Sequence, residues 1–153
     1  MMTPTSDPIT GREGIVTHGS PHAALSEFYR AFNARDLALM EQNWLATAAA
    51  SMDNPLGGIH RGWNEIRPVY ERIFGGPARV QVEFFDYTIE QAGTAFVAVG
   101  RERGTLTAPG LSLNLKIRTS RVFVRADQRW RQLHHHGSIE DADLLARYQA
   151  AVR

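Results

Sequence analysis

Four runs of sequence after Pro77 decide the fold: ARVQVEFFDYTIEQ (78–91), TAFVAVGRERGTLTA (94–108), SLNLKIRTSRVFVRA (112–126) and RWRQLHHHGSI (129–139). Each run is rich in β-branched and aromatic residues, and short turns separate one run from the next. Long consecutive strands joined by short turns form an antiparallel meander. The sequence therefore predicts an α+β fold in which helices elsewhere in the chain cover one face of this sheet.

Helical patterns flank the strands. Ser20-Pro21 reads as an N-cap followed by proline in the first turn, and Ser138 with Asp141 resembles a capping box for a final helix. The apolar spacing predicts a short strand over 48–53 and helices over 21–34, from Leu37 to Trp44, over 63–74 and over 144–152.

The N-terminal segment differs in composition from the rest of the chain. Residues 1–19 are rich in Pro, Thr, Gly and Ser and have no apolar periodicity, which predicts a flexible arm. Residues 20–153 then form one domain, since this length suits a single core. The start of the chain lacks the basic and apolar pattern of a signal peptide, so we expect a soluble, cytoplasmic protein that does not enter a membrane.

Composition excludes several function classes. Lys and Arg total 17 against 16 acidic residues, and no basic run could follow a row of phosphates, so nucleic acid is not an expected partner. The chain has no cysteine, which rules out a disulfide framework, a thiol nucleophile and a thiolate metal site. Neither a phosphate-binding loop nor a dinucleotide glycine pattern is present, so any chemistry is expected to need no cofactor.

Three segments together resemble nuclear transport factor 2-like proteins: Phe28–Asp36, His60–Ile66 and, most specifically, RVFVRADQRWRQLHHHGS at 121–138. The last is similar to the end of the calcium/calmodulin-dependent kinase association domain and its bacterial relatives. The resemblance implies a cone-shaped, curved antiparallel sheet covered on its concave face by three N-terminal helices, with a pocket between them and a short C-terminal helix. The superfamily contains SnoaL-like cyclases, ketosteroid isomerases and non-catalytic association domains, so the fold leaves the activity open.

The alignment with ketosteroid isomerase argues against that particular reaction. Asn54 stands at the position of the isomerase's catalytic carboxylate, and Phe28 stands at that of its oxyanion tyrosine. The neighbouring Asp53 would act as a base if it pointed into the pocket, and the alternative is an aspartate solvated in a loop.

Two further motifs suggest polar groups in the pocket. Arg101 closes an otherwise apolar row with Val97 and Val99, so it either faces the pocket or lies at a sheet edge with its charged end in water. It matches a pocket arginine of the kinase association domain, which implies an anion receptor. His134 and His136 share one strand face, with Cα atoms about 6.5–7 Å apart, and suit acid–base catalysis, while structural hydrogen bonding is the alternative. A metal would need a third ligand at a recognised spacing, so no metal site is predicted.

Aromatic residues at helical spacings are the remaining candidates for ligand contact. Such residues more often belong to the core, although one or two of them commonly line a cavity. The hydroxyl groups of tyrosines need partners when they are buried, and they can orient a ligand. The predicted ligand-binding aromatics are Phe28, Tyr29, Trp44, Trp63 and Tyr70.

Two functions of different classes follow. The first is a homodimer with a pocket that binds a small organic carboxylate or carbonyl compound, and its catalytic version is a cofactor-free isomerase, lyase or cyclase. The second is a non-catalytic oligomerisation or protein-association module. Replacing Arg101 by alanine should abolish ligand binding under the first hypothesis and change nothing under the second. The mixed charged and apolar outer positions of 118–124 suit a subunit interface under either hypothesis.

Overall fold

The computed structural model describes residues 2–14 and 19–153 of the chain. In these residues the fold is α+β, with four helices and a six-stranded sheet. The helices are α1 (Pro21–Ala34), α2 (Leu37–Asn43), α3 (Trp63–Gly75) and α4 (Ala142–Val152). The strands are β1 (Ser51–Asp53), β2 (His60–Arg61), β3 (Arg79–Ala92), β4 (Ala95–Ala108), β5 (Leu111–Ala126) and β6 (Arg129–Ser138).

The sheet has the order β2-β1-β6-β5-β4-β3. Strands β3 to β6 form the predicted antiparallel meander. The short strand β1 pairs with β2 in antiparallel fashion but runs parallel to β6. The sheet is therefore mixed, which corrects the expectation of a purely antiparallel one, and the parallel pair places Ser51 to Asp53 directly beside His134 to His136.

Local sequence explains where the helices begin. Ser20 caps α1 by accepting a hydrogen bond from the Ala23 amide, and Pro21 occupies the first turn. Helix α4 begins differently from the expectation. Its cap is Asp141 alone, which accepts from the Leu144 amide, because Ser138 is still part of β6 and its hydroxyl accepts a hydrogen bond from Arg118.

Side-chain alternation divides the long strands into two faces. The inner face lies under α1, α2 and α3 and is buried, whereas the outer face is not covered by any described residue over Val97 and Val99, which are 39% and 48% exposed. The inner-face core residues of the two central strands are Phe96, Ala98, Leu106, Leu113, Leu115, Ile117 and Phe123. None of the described helices has both the length and the apolar composition needed to cross a membrane.

Glycines allow β3 to curl over β4. A Cβ atom at Gly104 would collide with the carbonyl oxygen of Gln81, and one at Gly100 would collide with Tyr87. The register of β3 also shifts between Phe85 and Thr88, at a bulge. Close approach at two glycines together with a bulge produces the strong curvature that encloses the inner face.

The described part of the N-terminal arm, residues 2–14, lies along the edge strand β3. Thr5 pairs with Tyr87, and Ile9 exchanges backbone hydrogen bonds with Phe84 and is only 4% exposed. The side chain of Arg30 donates to the carbonyl of Gly11. The flexibility predicted for residues 1–19 stays a prediction, but in this structure the arm covers an edge that would otherwise present unpaired backbone groups.

Candidate functional site

A small cavity of about 30 Å³ lies between the inner face of the sheet and helices α1, α3 and α4. This volume holds one or two water molecules. Most of its wall is apolar, and ionisable side chains from three strands and two helices meet there. Its aromatic and ionisable lining residues include Phe28, Tyr70, Glu102, Arg121, His135 and Tyr148.

Arg121 is the central charge of this cavity. It projects from the inner face of β5 and is 1% exposed. Its guanidinium lies 3.6 Å from the ring centre of Phe28, and one Nη atom is 3.5 Å from Glu102. Glu102 is also buried and accepts a hydrogen bond from Thr119. The charge of Arg121 is thus compensated by a carboxylate and an aromatic face rather than by water.

A chain of hydrogen bonds fixes the orientation of Arg121. Its other Nη atom donates to Gln132 at 2.6 Å, and the Gln132 amide donates to Asn43 at 3.1 Å. Asn43 in turn donates to Glu27, which pairs with Arg129 at the surface. Because two of its nitrogens are held in this way, the guanidinium is fixed in orientation. Its third nitrogen, Nε, has no hydrogen-bond partner in the described residues.

His135 lies beside Arg121, its direct neighbour across the β5–β6 ladder. The ring is 7% exposed, and neither ring nitrogen has a hydrogen-bond partner among the described residues. Burial, and secondarily the charge of Arg121, lowers the pKa of His135 well below its usual value. The imidazole is therefore neutral at physiological pH, with one nitrogen able to donate and the other able to accept.

Three tyrosines surround these groups. Burial raises the pKa of Tyr70 to about 12 and also raises the pKa values of Tyr29 and Tyr148. Tyr70 accepts a hydrogen bond from the indole of Trp44 at 3.2 Å, whereas the hydroxyl of Tyr29 has no partner among the described residues. All three hydroxyls remain protonated at neutral pH and are available as hydrogen-bond donors.

The predicted aromatic contacts divide by their distance from the cavity. Phe28 and Tyr70 line it directly. Tyr29 packs against Phe28 and lies 5.5 Å from the Arg121 guanidinium. Trp44 and Trp63 flank Tyr70, each with a ring-centre distance of 6.4 Å, and so support the wall from behind.

The three predicted catalytic residues lie together on the other side of the sheet. His136 Nδ1 is 2.8 Å from Asp53 Oδ2, and His134 Nε2 is 3.6 Å from Asp53 Oδ1. His134 also hydrogen-bonds Ser51 at 2.8 Å. The group is about one-third to one-half exposed and does not line the interior cavity. Its acid–base role stays a prediction and would concern a molecule bound at the outer face.

Arg101 also lies on the outer face. Its side chain is 52% exposed and pairs with Asp86 at 3.3 Å and Glu140 at 3.4 Å. The row formed by Val97, Val99 and Arg101 faces away from the helices, so the anion-binding role of Arg101 stays a prediction and would concern the outer face. The interior arginine is Arg121, which lies on the neighbouring strand β5 and on the opposite face of the sheet.

The sequence does contain a signal for the interior charges. Thr119 and Arg121 interrupt an otherwise apolar alternating row on β5, and Glu102 interrupts the corresponding row on β4. The same pattern, a charged residue in an apolar row, predicts a role for Arg101, but the row that contains Arg101 lies on the outer face. His135 faces away from His134 and His136, and that orientation brings it to the cavity.

A second, larger cavity of about 730 Å³ lies open to solvent at the β3–β5 end of the sheet. Half of its lining residues lie on the outer face, and Arg101 is among them. It shares Val82, Glu102 and Ile117 with the wall of the interior cavity. Within the described residues, no group of three histidine or carboxylate side chains is arranged to hold a metal ion, including the Asp53 group.

The curved sheet and the three covering helices define an α+β cone of the nuclear transport factor 2-like class. A family profile for the SnoaL-like domain matches residues 22–142, and the chain belongs to that family. The predicted superfamily is thereby confirmed. No protein of curated function is significantly similar in sequence.

Solved structures support the same fold. A protein of Thiobacillus denitrificans, provisionally named a calcium/calmodulin-dependent protein kinase type II association domain, is 25% identical with a TM-score of 0.67, over 83% of this chain and 100% of its own. A protein of Streptomyces avermitilis, provisionally named a dehydratase of the nuclear transport factor 2-like family, is 22% identical with a TM-score of 0.69, over 78% and 93%. A ketosteroid isomerase-like protein of Erwinia carotovora atroseptica is 17% identical with a TM-score of 0.64, over 78% and 92%.

Proposed function

We propose that the interior cavity binds a small organic molecule carrying a carboxylate or carbonyl group. The observation that carries this proposal is the set of buried, unpartnered polar atoms at one small cavity: the Nε of Arg121 and both ring nitrogens of His135. Buried polar groups are normally hydrogen-bonded, so such a concentration indicates a place where a ligand or ordered water supplies the missing partners. A carboxylate or carbonyl oxygen supplies an acceptor for both the guanidinium and the imidazole.

The rest of the ligand should be apolar and small. Apart from the polar groups, the cavity wall consists mainly of Phe28, Phe32, Met52 and Ile73. The cavity of about 30 Å³ has to widen before it admits an organic molecule. Tyr148, on the terminal helix α4, closes one side, and its displacement opens the site without disturbing the sheet. An aromatic monocarboxylate, in which a ring replaces that of Tyr148, is the ligand type that fits best.

Thermal unfolding with benzoate as the probe tests this proposal. A ligand that binds only the folded state raises the melting temperature. Benzyl alcohol is the uncharged comparison, because it keeps the ring and lacks the carboxylate. Arg121→Lys preserves the buried charge opposite Glu102 but removes the Nε donor and the planar fork. This variant is preferable to alanine, which would leave the buried Glu102 unpaired.

We expect benzoate, but not benzyl alcohol, to stabilise the wild-type protein, and Arg121→Lys to lose most of that shift. Arg101→Ala is the matched control, because this arginine lies on the outer face and does not line the interior cavity. Equal shifts in wild type and Arg121→Lys, or loss of the shift in Arg101→Ala alone, would contradict an interior site.

Proton transfer on the bound molecule is a second candidate function, of the isomerase, lyase or cyclase type. The neutral imidazole of His135, directly beside Arg121, favours it. In this scheme a His135 nitrogen takes a proton from the carbon next to the carbonyl, and Arg121 stabilises the oxyanion that forms. Exchange of acetophenone methyl protons for deuterium, followed by NMR, tests this step. Exchange that His135→Phe leaves unchanged would rule out this assignment.

Association of subunits is the third part of the proposal, and its supporting observation is an apolar strip on the outer face. Val97 and Val99 are 39% and 48% exposed, and their cross-strand neighbours on β5 are Val122 and Ser120. Exposed apolar patches of this kind commonly mark protein–protein contacts. We infer a homodimer through this strip. Dimerisation without any interior ligand is the outcome expected of a pure association module.

A further inference from the structure

Pairs of like charges face each other on the outer side of the sheet. In the β4–β5 register, Arg101 lies directly opposite Arg118, and Arg103 lies directly opposite Lys116. All four side chains are exposed. Like charges in directly opposite positions destabilise a sheet, so each pair gains stability from an anion placed between its members.

The protein supplies that anion for the first pair. Glu140, in the segment between β6 and α4, places one carboxylate oxygen 3.4 Å from Arg101 Nη1 and 3.4 Å from Arg118 Nε. A single carboxylate therefore bridges both arginines. This arrangement shows how an oxygen anion fits between cross-strand cations on this surface.

The second pair lacks such a bridge. Arg103 is held from the β3 side, because its Nε donates to Glu83 at 2.7 Å and its guanidinium lies 4.0 Å from the ring centre of Phe85. No carboxylate of the described residues lies within 4.0 Å of the Lys116 amine. Arg103 is thus fixed in position with unused N–H donors, and Lys116 remains uncompensated.

Space for a ligand lies at the same place. Arg103 and Lys116 both line the open cavity of about 730 Å³, together with Arg12 from the N-terminal arm. Cavities of roughly 300–1,000 Å³ accommodate small organic ligands, and a lone inorganic ion would leave most of this volume empty. The exposed polar side chains of Thr105 and Asn114 line the same cavity. Two carboxylates line it as well, and both are already paired, Glu83 with Arg103 and Glu102 with Arg121. The occupant is therefore polar as well as anionic.

We propose that this outer cavity is a second binding site, for a small polar organic anion with more than one carboxylate or phosphate group. One group bridges Arg103 and Lys116 as Glu140 bridges Arg101 and Arg118, and another reaches Arg12. The cations that carry the binding, Arg103 and Lys116, point from the opposite face of the sheet, although the two cavities share part of their walls. The two sites differ also in ligand chemistry, since the interior favours a largely apolar monocarboxylate.

Melting temperatures measured with citrate and with pyrophosphate, at constant ionic strength, test the second site. The two probes distinguish carboxylate from phosphate as the preferred group. We expect at least one probe to raise the melting temperature of wild type above that in sodium chloride, and both Lys116→Gln and Arg103→Gln to reduce this shift to less than half. Arg79→Gln is the matched control, because Arg79 is an exposed outer-face cation that does not line the cavity.

Lys116→Glu provides a complementary measurement. This substitution supplies the missing carboxylate opposite Arg103, so the variant should melt at a higher temperature than wild type without any added anion and should no longer respond to the probe. The proposal is overturned if neither probe stabilises wild type, if all variants respond equally, or if Lys116→Glu melts lower and keeps the response. Benzoate binding in the interior does not enter any of these outcomes.

Discussion

At the scale of single residues, His135 is the most unusual group. A neutral imidazole is buried next to a guanidinium, and neither of its nitrogens is hydrogen-bonded within the described residues. Leaving a polar group in this state costs about 1–3 kcal/mol. A residue that is unfavourable for folding but lies at a cavity with other unpartnered donors is better explained by binding than by packing.

The lowered pKa of His135 gives the free energy of unfolding a predictable pH dependence. Below about pH 6.5 the unfolded chain takes up a proton at this residue and the folded protein does not, so folded-state stability is lost as the pH falls. His135→Phe removes this effect. In urea unfolding at pH 7.5, 6.5 and 5.5, the free energy of unfolding of the variant should therefore rise relative to that of wild type as the pH falls. The expected rise is up to about 1.4 kcal/mol per pH unit below 6.5.

An exposed histidine provides the comparison for that experiment. His22→Gln, on the surface of α1, should not reproduce the change. Parallel pH profiles for wild type and His135→Phe would contradict a neutral buried imidazole.

Strand periodicity predicted which residues share a face but not which face is covered. The grouping of Arg101 with Val97 and Val99, and of His134 with His136, agrees with the structure. Deciding which row is buried requires the packing of helices that are distant in sequence. The apolar row containing Arg121 is the more hydrophobic of the two on β5, and comparing the two rows would have favoured it.

At the scale of elements, α4 is the cover of the interior cavity. It is the last helix of the chain, it buries Tyr148 and Val152, and a hydrogen bond from Gln149 to the Pro55 carbonyl fastens it to the loop after β1. Because α4 forms no part of the sheet, it can move without breaking the hydrogen bonds between strands. Ligand entry is therefore expected to depend on its displacement.

Cross-linking α4 to the β1 loop tests this dependence. The chain contains no cysteine, so Pro55→Cys with Gln149→Cys introduces the only two thiols, and a short bis-alkylating reagent can join them. We expect the cross-linked protein to bind benzoate at least tenfold more slowly in stopped-flow measurements. Each single-cysteine variant treated with the same reagent is the control. An unchanged association rate in the cross-linked protein would show that α4 is not the gate.

Helices and long strands were predictable because caps, turns and periodicity are local. The bounds of α1 and the four long strands agree with the expectation to within one or two residues. The parallel β1–β6 pairing was not predictable, since it joins residues about 80 positions apart through a strand of only three residues. That pairing brings Asp53 beside His134 and His136, which the sequence placed in one site without showing its location.

At the scale of the whole molecule, the sheet separates two chemical environments. The inner face holds the small cavity with Arg121 and His135, and the outer face holds the apolar strip and the cations Arg103 and Lys116 of the larger, open cavity. The SnoaL-like family assignment fixes the fold and leaves the use of either face open. The dimer and ligand proposals can therefore be tested separately.

The apolar strip of Val97 and Val99 on the outer face predicts the oligomeric state. Changing Val97 and Val99 together to lysine places two charges on the outer face, where burial against a second subunit would leave them desolvated. We expect the wild type to sediment as a dimer and the double variant as a monomer, with little change in its far-ultraviolet circular dichroism. Replacing the exposed Thr105 and Thr107 by lysine, on the same face but outside the strip, is the matched control. A monomeric wild-type protein would contradict the proposed interface.

Arg121 is proposed to receive the charged end of a ligand inside the cone, and its side-chain NMR signal reports on this contact. In an ¹⁵N-labelled sample, the Nε–H resonance of Arg121 can be assigned by comparison with Arg121→Lys and followed during titration with benzoate. We expect a saturable downfield shift of the Arg121 resonance, because an unpartnered donor gains an acceptor. The Arg101 resonance should not move. A titration that moves Arg101 and leaves Arg121 unchanged would contradict the proposed contact.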